Sequence, residues 1–195
     1  MLFSKTKTKT VDIYRPREDS FLLQSCIPKK LKGKDVLEIG TGSGIQAITA
    51  AKFGAEVTAT DINLNALSAA RENASANGVT IKFVKSDIFS NVKGKFDLII
   101  NNPPYLPEDN FDEIVGPSRM YSGGKNGRDF IEKFVSQVSK HLKPKGKILM
   151  VMSSLTGEQE VLDIFKTYGL NPKVIARQKI PWEHLIVIEA RRIGR

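Results

Sequence analysis

The chain has 195 residues, of which 41% are hydrophobic and 26% are charged, and its formal net charge is +9. This composition suits one globular domain with a sizeable core, and no apolar run approaches the roughly 20 residues that span a membrane. Cys26 has no second cysteine to pair with, the two histidines lie far apart in sequence, and the first residues lack a signal-peptide pattern. We therefore expect a cytoplasmic protein with no disulfide, no metal site and no membrane partner.

The predicted elements begin with a polar, repetitive Lys/Thr tail, residues 1–10, which we expect to be mobile. Residues 11–195 are predicted to form a single domain in which helix-like and strand-like segments alternate. In chain order these segments are a short helix around Phe21–Leu23, a strand Asp35–Ile39, a helix Ile45–Phe53, a strand Glu56–Thr60, a helix Asn63–Ala76, a strand Val79–Val84 and a strand Phe96–Ile100.

The second half of the chain starts with a polar, non-periodic segment, residues 106–126, which we interpret as a functional loop because loops of this length rarely serve only as connections. Repeated strand–helix units predict an α/β fold with a mostly parallel sheet and helices on both faces. The chain closes on two strands without a helix between them, which predicts an antiparallel final pair. The remaining predicted elements are a helix 127–142, a turn 143–146, a strand Lys147–Met152, a helix 156–168 and strands 173–178 and 184–190.

A glycine-rich loop joins the first predicted strand to the following helix, with Gly40, Gly42 and Gly44 at alternate positions. Glycines let the backbone turn tightly and let a ligand approach it closely. In a doubly wound sheet, ligands bind beyond the carboxyl ends of the strands, which is where this loop falls. The loop alone is compatible with a dinucleotide-binding site as well as with other nucleotide-like cofactors.

Acidic residues at three successive strand ends narrow the choice of cofactor. Glu38 lies at the end of the first strand, Asp61 at the end of the second and Asp87 at the end of the third. An acid in the position of Asp61 is suited to ribose hydroxyl groups. Three carboxylates favour a cationic sulfonium and its amino group over a diphosphate, so the sequence predicts S-adenosylmethionine as cofactor.

The fourth strand is followed by Asn102, Pro103, Pro104 and Tyr105, which we predict to be the catalytic residues. The prolines end the strand and contribute no N–H donors, so the side-chain oxygen of Asn102 and the carbonyl of Pro103 are left as acceptors. Two such acceptors match the two protons of an –NH2 group on an sp2 carbon. Holding those protons orients the weakly nucleophilic nitrogen and stabilises the charge that develops when it is methylated.

These motifs together resemble class I methyltransferases that act on amide or exocyclic amino nitrogen. Two further stretches, Tyr14–Leu23 and Gly123–Arg128, and the pair Arg177–Gln178 are similar to segments of the archaeal and eukaryotic branch of the HemK family. The resemblance extends from about Val11 to Ala190. It implies a Rossmann-like, seven-stranded class I methyltransferase fold that uses S-adenosylmethionine and releases S-adenosylhomocysteine.

The resemblance also implies an activity, namely methylation of the glutamine side chain in the Gly-Gly-Gln motif of a class I release factor. Asn102 and the Pro103 carbonyl would hold the glutamine amide, with Tyr105 packed on it, and Ser20 would close over the cofactor. A small zinc-containing activator subunit is the implied partner, forming a heterodimer. The implied cofactor contacts are Ser20, Glu38, Gly40, Gly42, Gly44, Asp61, Asp87, Ile88 and Asn102.

Other acceptors stay open from the residues alone, because adenine N6 and cytosine N4 are also sp2 –NH2 groups. A high net positive charge favours nucleic acid as partner, yet residues 36–124, which carry the catalytic motif, hold 7 Lys or Arg against 10 Asp or Glu. Acids at 108, 109, 112 and 113 directly follow the motif and would repel phosphates. Nucleic acid is thus the less favoured acceptor. Protein-lysine methylation and a non-catalytic cofactor-binding scaffold are further alternatives.

Overall fold

Seven strands form one sheet in the order β3-β2-β1-β4-β5-β7-β6 in the computed structural model, which describes residues 14–105 and 124–194. The strands are β1 (Asp35–Ile39), β2 (Glu56–Asp61), β3 (Lys82–Lys85), β4 (Phe96–Asn101), β5 (Leu142–Ser153), β6 (Leu170–Ile180) and β7 (Glu183–Arg192). The helices are α1 (Glu18–Ser25), α2 (Ile45–Lys52), α3 (Leu64–Ala76), α4 (Asp129–Val138) and α5 (Glu158–Thr167).

Strands β1 to β5 are mutually parallel, whereas β7 runs antiparallel to both of its neighbours, β5 and β6. The predicted fold class, a mostly parallel seven-stranded sheet with an antiparallel last strand, is confirmed. Strand β4 is buried along nearly its whole length and lies between β1 and β5, as its continuous apolar sequence predicts.

Helices cover both faces of the sheet because successive strand residues point to opposite sides. On one face, Leu37 and Ile39 of β1 share a core with α4 and α5. On the other, Val36 shares a core with α1 and α2, and α3 packs beside α2. Helix α4 shows the expected amphipathic spacing, since its buried residues recur every three or four positions. They are Ile131, Phe134, Val135 and Val138.

Strand β5 begins earlier than the sequence predicts. Lys143–Gly146, predicted as a turn, lies inside the strand, at a register shift between the pairs Phe96–Leu142 and Leu98–Lys147. Gly146 fits there because a Cβ at that position would lie 2.7 Å from the carbonyl oxygen of Phe96. Pro144 and Gly146 therefore mark a β-bulge within β5 rather than a turn between two elements.

Strand β3 is shorter than predicted. None of the helices within the two described ranges is long and apolar enough to cross a membrane. The predicted Lys/Thr tail and most of the predicted loop 106–126, including its acidic residues, fall outside the described residues. The carboxyl ends of β1, β2 and β4 meet, since Ile39 pairs with Thr60 on one side and with Asn101 on the other. This edge of the sheet positions the site described next.

Candidate active site

A cavity of about 390 Å³ opens at the carboxyl ends of the parallel strands. It brings together nearly all of the residues predicted from the sequence, although they are spread over more than 80 positions of the chain. The predicted residues that line it are Ser20, Glu38, Gly40, Gly42, Asp61, Asp87, Ile88, Asn102, Pro103, Pro104 and Tyr105.

Gly44 was also predicted to contact the cofactor, but the structure does not place it on the cavity wall. Its φ is +85°, and a Cβ at this position would lie 3.1 Å from the Cβ of Ala70 in helix α3. Gly44 therefore allows a left-handed turn and a close approach between α2 and α3. Its observed role is in packing rather than in lining the site.

Asp61 links the glycine loop to the start of helix α3. One carboxylate oxygen accepts a hydrogen bond from the Gly42 amide at 3.0 Å, and the other accepts one from the Asn63 amide at 2.9 Å. Gly42 has a φ of +50°, which directs its amide towards the end of β2. The acid thus holds the loop in shape while its half-buried carboxylate faces the cavity.

Glu38 is buried beneath the glycine loop. Its carboxylate accepts hydrogen bonds from the Thr41 hydroxyl at 2.5 Å and from the Ala47 amide at 3.1 Å. Burial raises the pKa of Glu38 to about 8, and the charge of Asp61 adds to this effect. At neutral pH the carboxyl group is therefore mostly protonated unless a cation binds beside it, so the three acids do not carry three full charges.

Asp87 and Ile88 form the wall beyond strand β3. Asp87 is exposed and its carboxylate lies 3.3 Å from the Lys133 ammonium of α4. Ile88 is buried yet has a φ of +49°, a conformation that β-branched residues rarely adopt. The Ser86 hydroxyl, which donates to the Ile88 carbonyl at 3.0 Å, supports this turn. Strained backbone of this kind is concentrated at ligand sites.

Asn102 is held by the first helix of the fold. Its Nδ2 atom donates to the Asp19 carboxylate at 3.1 Å and to the Ser20 hydroxyl at 3.4 Å. Asn102 lines the cavity, and its Oδ1 atom accepts no hydrogen bond from the described residues. The acceptor predicted from the sequence is therefore available to a ligand.

Tyr105 is tied to the same carboxylate, because its hydroxyl donates to Asp19 at 3.0 Å. Burial and the charge of Asp19 raise the pKa of the Tyr105 phenol far above its ordinary value. The phenol stays neutral and offers a flat wall with a polar tip, not a base. Its backbone carbonyl accepts from the Thr156 hydroxyl at 2.8 Å, and the Thr156 carbonyl accepts from Arg128 at 2.6 Å.

The two remaining stretches that resemble the HemK family differ in whether they contact the residues around the cavity. Arg128, from the segment Gly123–Arg128, reaches the catalytic motif through Thr156. Arg177, on β6, does not line the cavity and pairs instead with Glu158 of α5 at 2.5 Å. Only the first stretch therefore contacts the residues that support the site.

Among the cavity residues that were missing from the sequence-based site, four have polar side chains that bear on its chemistry. Asp19 and Tyr14 belong to the N-terminal motif, and their signal was its run of polar residues before an apolar helix. Gln46 and Asn101 had no sequence signal. Their Oε1 and Oδ1 atoms are buried on the cavity wall and have no hydrogen-bond partner in the described part of the chain. Unpaired buried acceptors are costly, and they suit a cationic amino group such as that of S-adenosylmethionine.

Comparison with known proteins agrees with this geometry. A sequence model of the methyltransferase small domain family matches residues 15–173. A protein of Methanocaldococcus jannaschii, provisionally named protein N5-glutamine methyltransferase, is 43% identical over 184 residues and 93% of each chain. The human methyltransferase HEMK2 is 33% identical over 91% of this chain and 89% of its own.

Among solved structures, a chain of the E. cuniculi Mtq2–Trm112 complex superposes with a TM-score of 0.76 at 24% identity, covering 94% of this chain and all of the other. That complex is described as responsible for methylating the translation termination factor eRF1. At this identity the likeness supports the fold alone. Sheet, cavity and family together define an S-adenosylmethionine-dependent methyltransferase.

Within that class the relatives are more specific. The chain belongs to the methyltransferase small domain family and, within it, to the HemK group of protein glutamine methyltransferases.

Proposed function

We propose that this enzyme transfers a methyl group from S-adenosylmethionine to the side-chain amide nitrogen of a glutamine, in the Gly-Gly-Gln motif of a class I release factor. The observation that carries the proposal is that Asn102 lines the cavity with its –NH2 group bonded to α1, while the described residues leave its Oδ1 atom unpaired. The similarity to a protein named as an N5-glutamine methyltransferase supports it.

The cavity residues fit the cofactor. S-adenosylmethionine supplies an electrophilic methyl group on a sulfonium and leaves as S-adenosylhomocysteine. Asp61, which lines the cavity, would accept from ribose hydroxyl groups, and Asp87 and Ile88 would lie beside the base. Glu38 and the unpaired oxygen of Gln46 would offer acceptors to the amino group, and Ser20 would close over the cofactor. A positively charged neighbour would favour the ionised form of Glu38.

The catalytic motif suits an amide because it supplies acceptors. The Oδ1 atom of Asn102 and the Pro103 carbonyl would accept the two amide protons and turn the nitrogen towards the methyl donor. Positive charge then develops on the nitrogen in a setting already arranged to stabilise it. Tyr105 stays neutral and packs against the acceptor group. No base is required before methyl transfer, because the amide nitrogen enters uncharged, and the methylated nitrogen then loses one of its two protons to water.

A protein acceptor is favoured over nucleic acid by the charge around the cavity. Asp19, Asp61 and Asp87 all face it, and the acids at 108–113 follow the motif in sequence. Nucleic-acid binding depends on phosphate contacts with Lys and Arg, which acids at the mouth of a site oppose. A glutamine in a glycine-rich loop brings no such charge.

A small zinc-containing subunit is proposed as a heterodimer partner. Its support is the resemblance to the short HemK branch, together with the two-protein assembly of the structural neighbour from E. cuniculi. The proposal extends that arrangement to this chain.

One assay tests the proposed function. The chain is incubated with methyl-labelled cofactor and, separately, with a release factor, with the same factor carrying alanine at the Gly-Gly-Gln glutamine, with tRNA and with DNA. Each reaction is run with and without the candidate zinc subunit. Label in the unaltered factor alone supports the proposal. Label in nucleic acid but not in protein would refute it, and label retained by the alanine factor would point to lysine.

A further inference from the structure

Asp19 is a hub of hydrogen bonds beside the catalytic motif, although it touches neither of the reacting groups proposed above. Its carboxylate is buried at 5% exposure and accepts hydrogen bonds from the Tyr14 hydroxyl at 2.7 Å and the Tyr105 hydroxyl at 3.0 Å. It also accepts from Nδ2 of Asn102 at 3.1 Å and from the Ser20 amide at 2.5 Å. Two of these donors come from the motif that ends β4, more than 80 residues away in sequence.

The chemistry of these donors fixes which way the Asn102 side chain points. A carboxylate only accepts hydrogen bonds, so the face of the Asn102 amide turned towards Asp19 must be its –NH2 group. The second contact of Nδ2 is with the Ser20 hydroxyl. This hydroxyl donates its own proton to Asp19 at 3.2 Å, so its lone pairs are free to accept the hydrogen bond from Nδ2. Both contacts of the Asn102 –NH2 group with described residues are thus with α1, and Oδ1 is left on the other arm of the amide.

An asparagine amide is nearly symmetric in shape, so a half-turn about its last bond costs little unless hydrogen bonds oppose it. After this half-turn, the –NH2 group of Asn102 would face the –NH2 group of the glutamine substrate, and neither group could accept a hydrogen bond from the other. Such a state could not hold the glutamine or stabilise the charge developing on its nitrogen. The orientation of one amide therefore decides whether the site works.

We infer that Asp19 is a positioning residue, which sets the orientation of the Asn102 amide so that Oδ1 faces the acceptor. The inference rests on the proposed function for the identity of that acceptor. Asp19 could instead serve only to attach α1 to the catalytic motif. That simpler role would affect stability and cofactor binding, whereas the inferred role affects the rate of methyl transfer at saturating substrate.

A pair of substitutions separates the two roles. In Asp19→Asn, the Ser20 amide should retain the one remaining carbonyl oxygen, so that the new –NH2 group faces Nδ2 of Asn102 and favours turning that amide over. We expect kcat to fall about 100-fold, as for the loss of one preorganised hydrogen-bonding group. The KM for the release factor and the Kd of the cofactor should stay within about threefold of the parent.

The exchanged pair, Asp19→Asn with Asn102→Asp, restores a donor at position 19 facing an acceptor at position 102 and leaves an oxygen towards the substrate. We expect its kcat to exceed that of either single variant by about tenfold or more. Asp97→Asn is the matched control, since Asp97 accepts from Lys34, Lys143 and the Asp35 amide at the opposite end of β4. It should lower stability and leave kcat unchanged.

Nuclear magnetic resonance of the parent chain tests the geometry without any substrate. Hydrogen bonding should shift the Asn102 side-chain amide protons downfield and slow their exchange with water, and both effects should be lost in Asp19→Asn. Unprotected amide protons in the parent would overturn the inference. So would a kcat for Asp19→Asn within about threefold of the parent, or an exchanged pair that is no faster than the faster of the two single variants. A parent chain inactive on release factors would refute the proposed function alone, because the resonance measurement still decides the role of Asp19.

Discussion

Burial changes what each of the three strand-end acids contributes to the cofactor cavity. From the sequence they count as three equal negative charges. In the structure Asp87 is exposed and paired with Lys133, Asp61 is half-buried, and Glu38 is buried with a pKa of about 8. The acids were predictable from their positions, but their charge states depend on packing that the sequence does not display.

Replacing Glu38 with glutamine should alter how stability depends on pH. The pKa of Glu38 is higher in the folded chain than the ordinary value of 4.5, so the folded state binds its proton more tightly than the unfolded state. The stability this provides is fully present below about pH 4.5 and is lost as pH rises through about 8. Between those values the parent should lose a few kcal/mol relative to Glu38→Gln. Urea unfolding of both chains across this range is the measurement, and parallel curves would contradict the assignment.

Replacing Asp61 with alanine should weaken cofactor binding first. The variant loses a predicted ribose acceptor and also the partner of the Gly42 and Asn63 amides, which shape the loop. We expect the Kd of the cofactor to rise at least tenfold, equivalent to about 1.4 kcal/mol. Calorimetry measures this directly, with Asp163→Ala on the exposed face of α5 as control. Unchanged affinity in Asp61→Ala would reject the role.

Replacing Asn102 with alanine should slow methyl transfer and leave cofactor binding nearly unchanged. The cofactor should bind within about threefold of the parent, whereas methyl transfer should fall by about 100-fold to 1,000-fold because a preorganised acceptor is lost. Single-turnover rates at saturating substrate check this, and Asn171→Ala on the edge strand β6 is the control. Undiminished turnover in Asn102→Ala would be incompatible with the proposed mechanism.

The loop between β1 and α2 shows how one element serves both cofactor binding and packing. Gly40 and Gly42 line the cavity, whereas Gly44 allows α2 to approach Ala70 of α3. The alternating glycines correctly predicted a tight turn at the start of a helix. They did not reveal which glycine faces a ligand and which faces a helix, because that depends on where α3 packs.

Gly44→Ala should therefore destabilise the fold. The substitution imposes a left-handed conformation on alanine and places its Cβ 3.1 Å from that of Ala70. We expect a loss of about 2–4 kcal/mol in the free energy of unfolding, which combines backbone strain with overpacking. Gly33→Ala is the matched control, since its φ is +71° but nothing lies within 4 Å of the added Cβ. Equal losses in both variants would show that the contact with Ala70 contributes nothing.

The elements most faithfully predicted were those with a continuous apolar run or a clear helical period. Strand β4 and helix α3 belong to this group. The start of β5 was mispredicted because Pro144 and Gly146 usually end a strand. Here they form a bulge against Phe96, a pairing that only the neighbouring strand defines.

At the scale of the whole molecule, the site is assembled from groups that local sequence patterns cannot connect. The Asp19–Asn102 pair joins residues 83 positions apart, and the Asn101 side chain reaches the Ile39 carbonyl across 62. The strand-end acids and the Asn-Pro-Pro-Tyr motif could be predicted because parallel strands bring their carboxyl ends to one edge. Gln46 could not, since its Oε1 atom is left unpaired only by the folded structure, and the role of Asp19 depends on the distant side chains that fold against it.

The net charge of the whole chain is opposite in sign to the charged side chains that line the cavity. The chain carries a net charge of +9, yet Asp19, Asp61 and Asp87 line the cavity. The overall charge of the chain therefore says little about the methylated substrate. The substrate is selected by the carboxylates and the unpaired hydrogen-bond acceptors at the cavity.

The most direct measurement of the central claim is tandem mass spectrometry of a release factor after reaction with this chain, the candidate zinc subunit and methyl-labelled cofactor. The account predicts a single labelled methyl group on the side-chain amide nitrogen of the Gly-Gly-Gln glutamine, and none after reaction with Asn102→Ala. A labelled methyl group on lysine, or label found only in tRNA or DNA included in the same reaction, would contradict it.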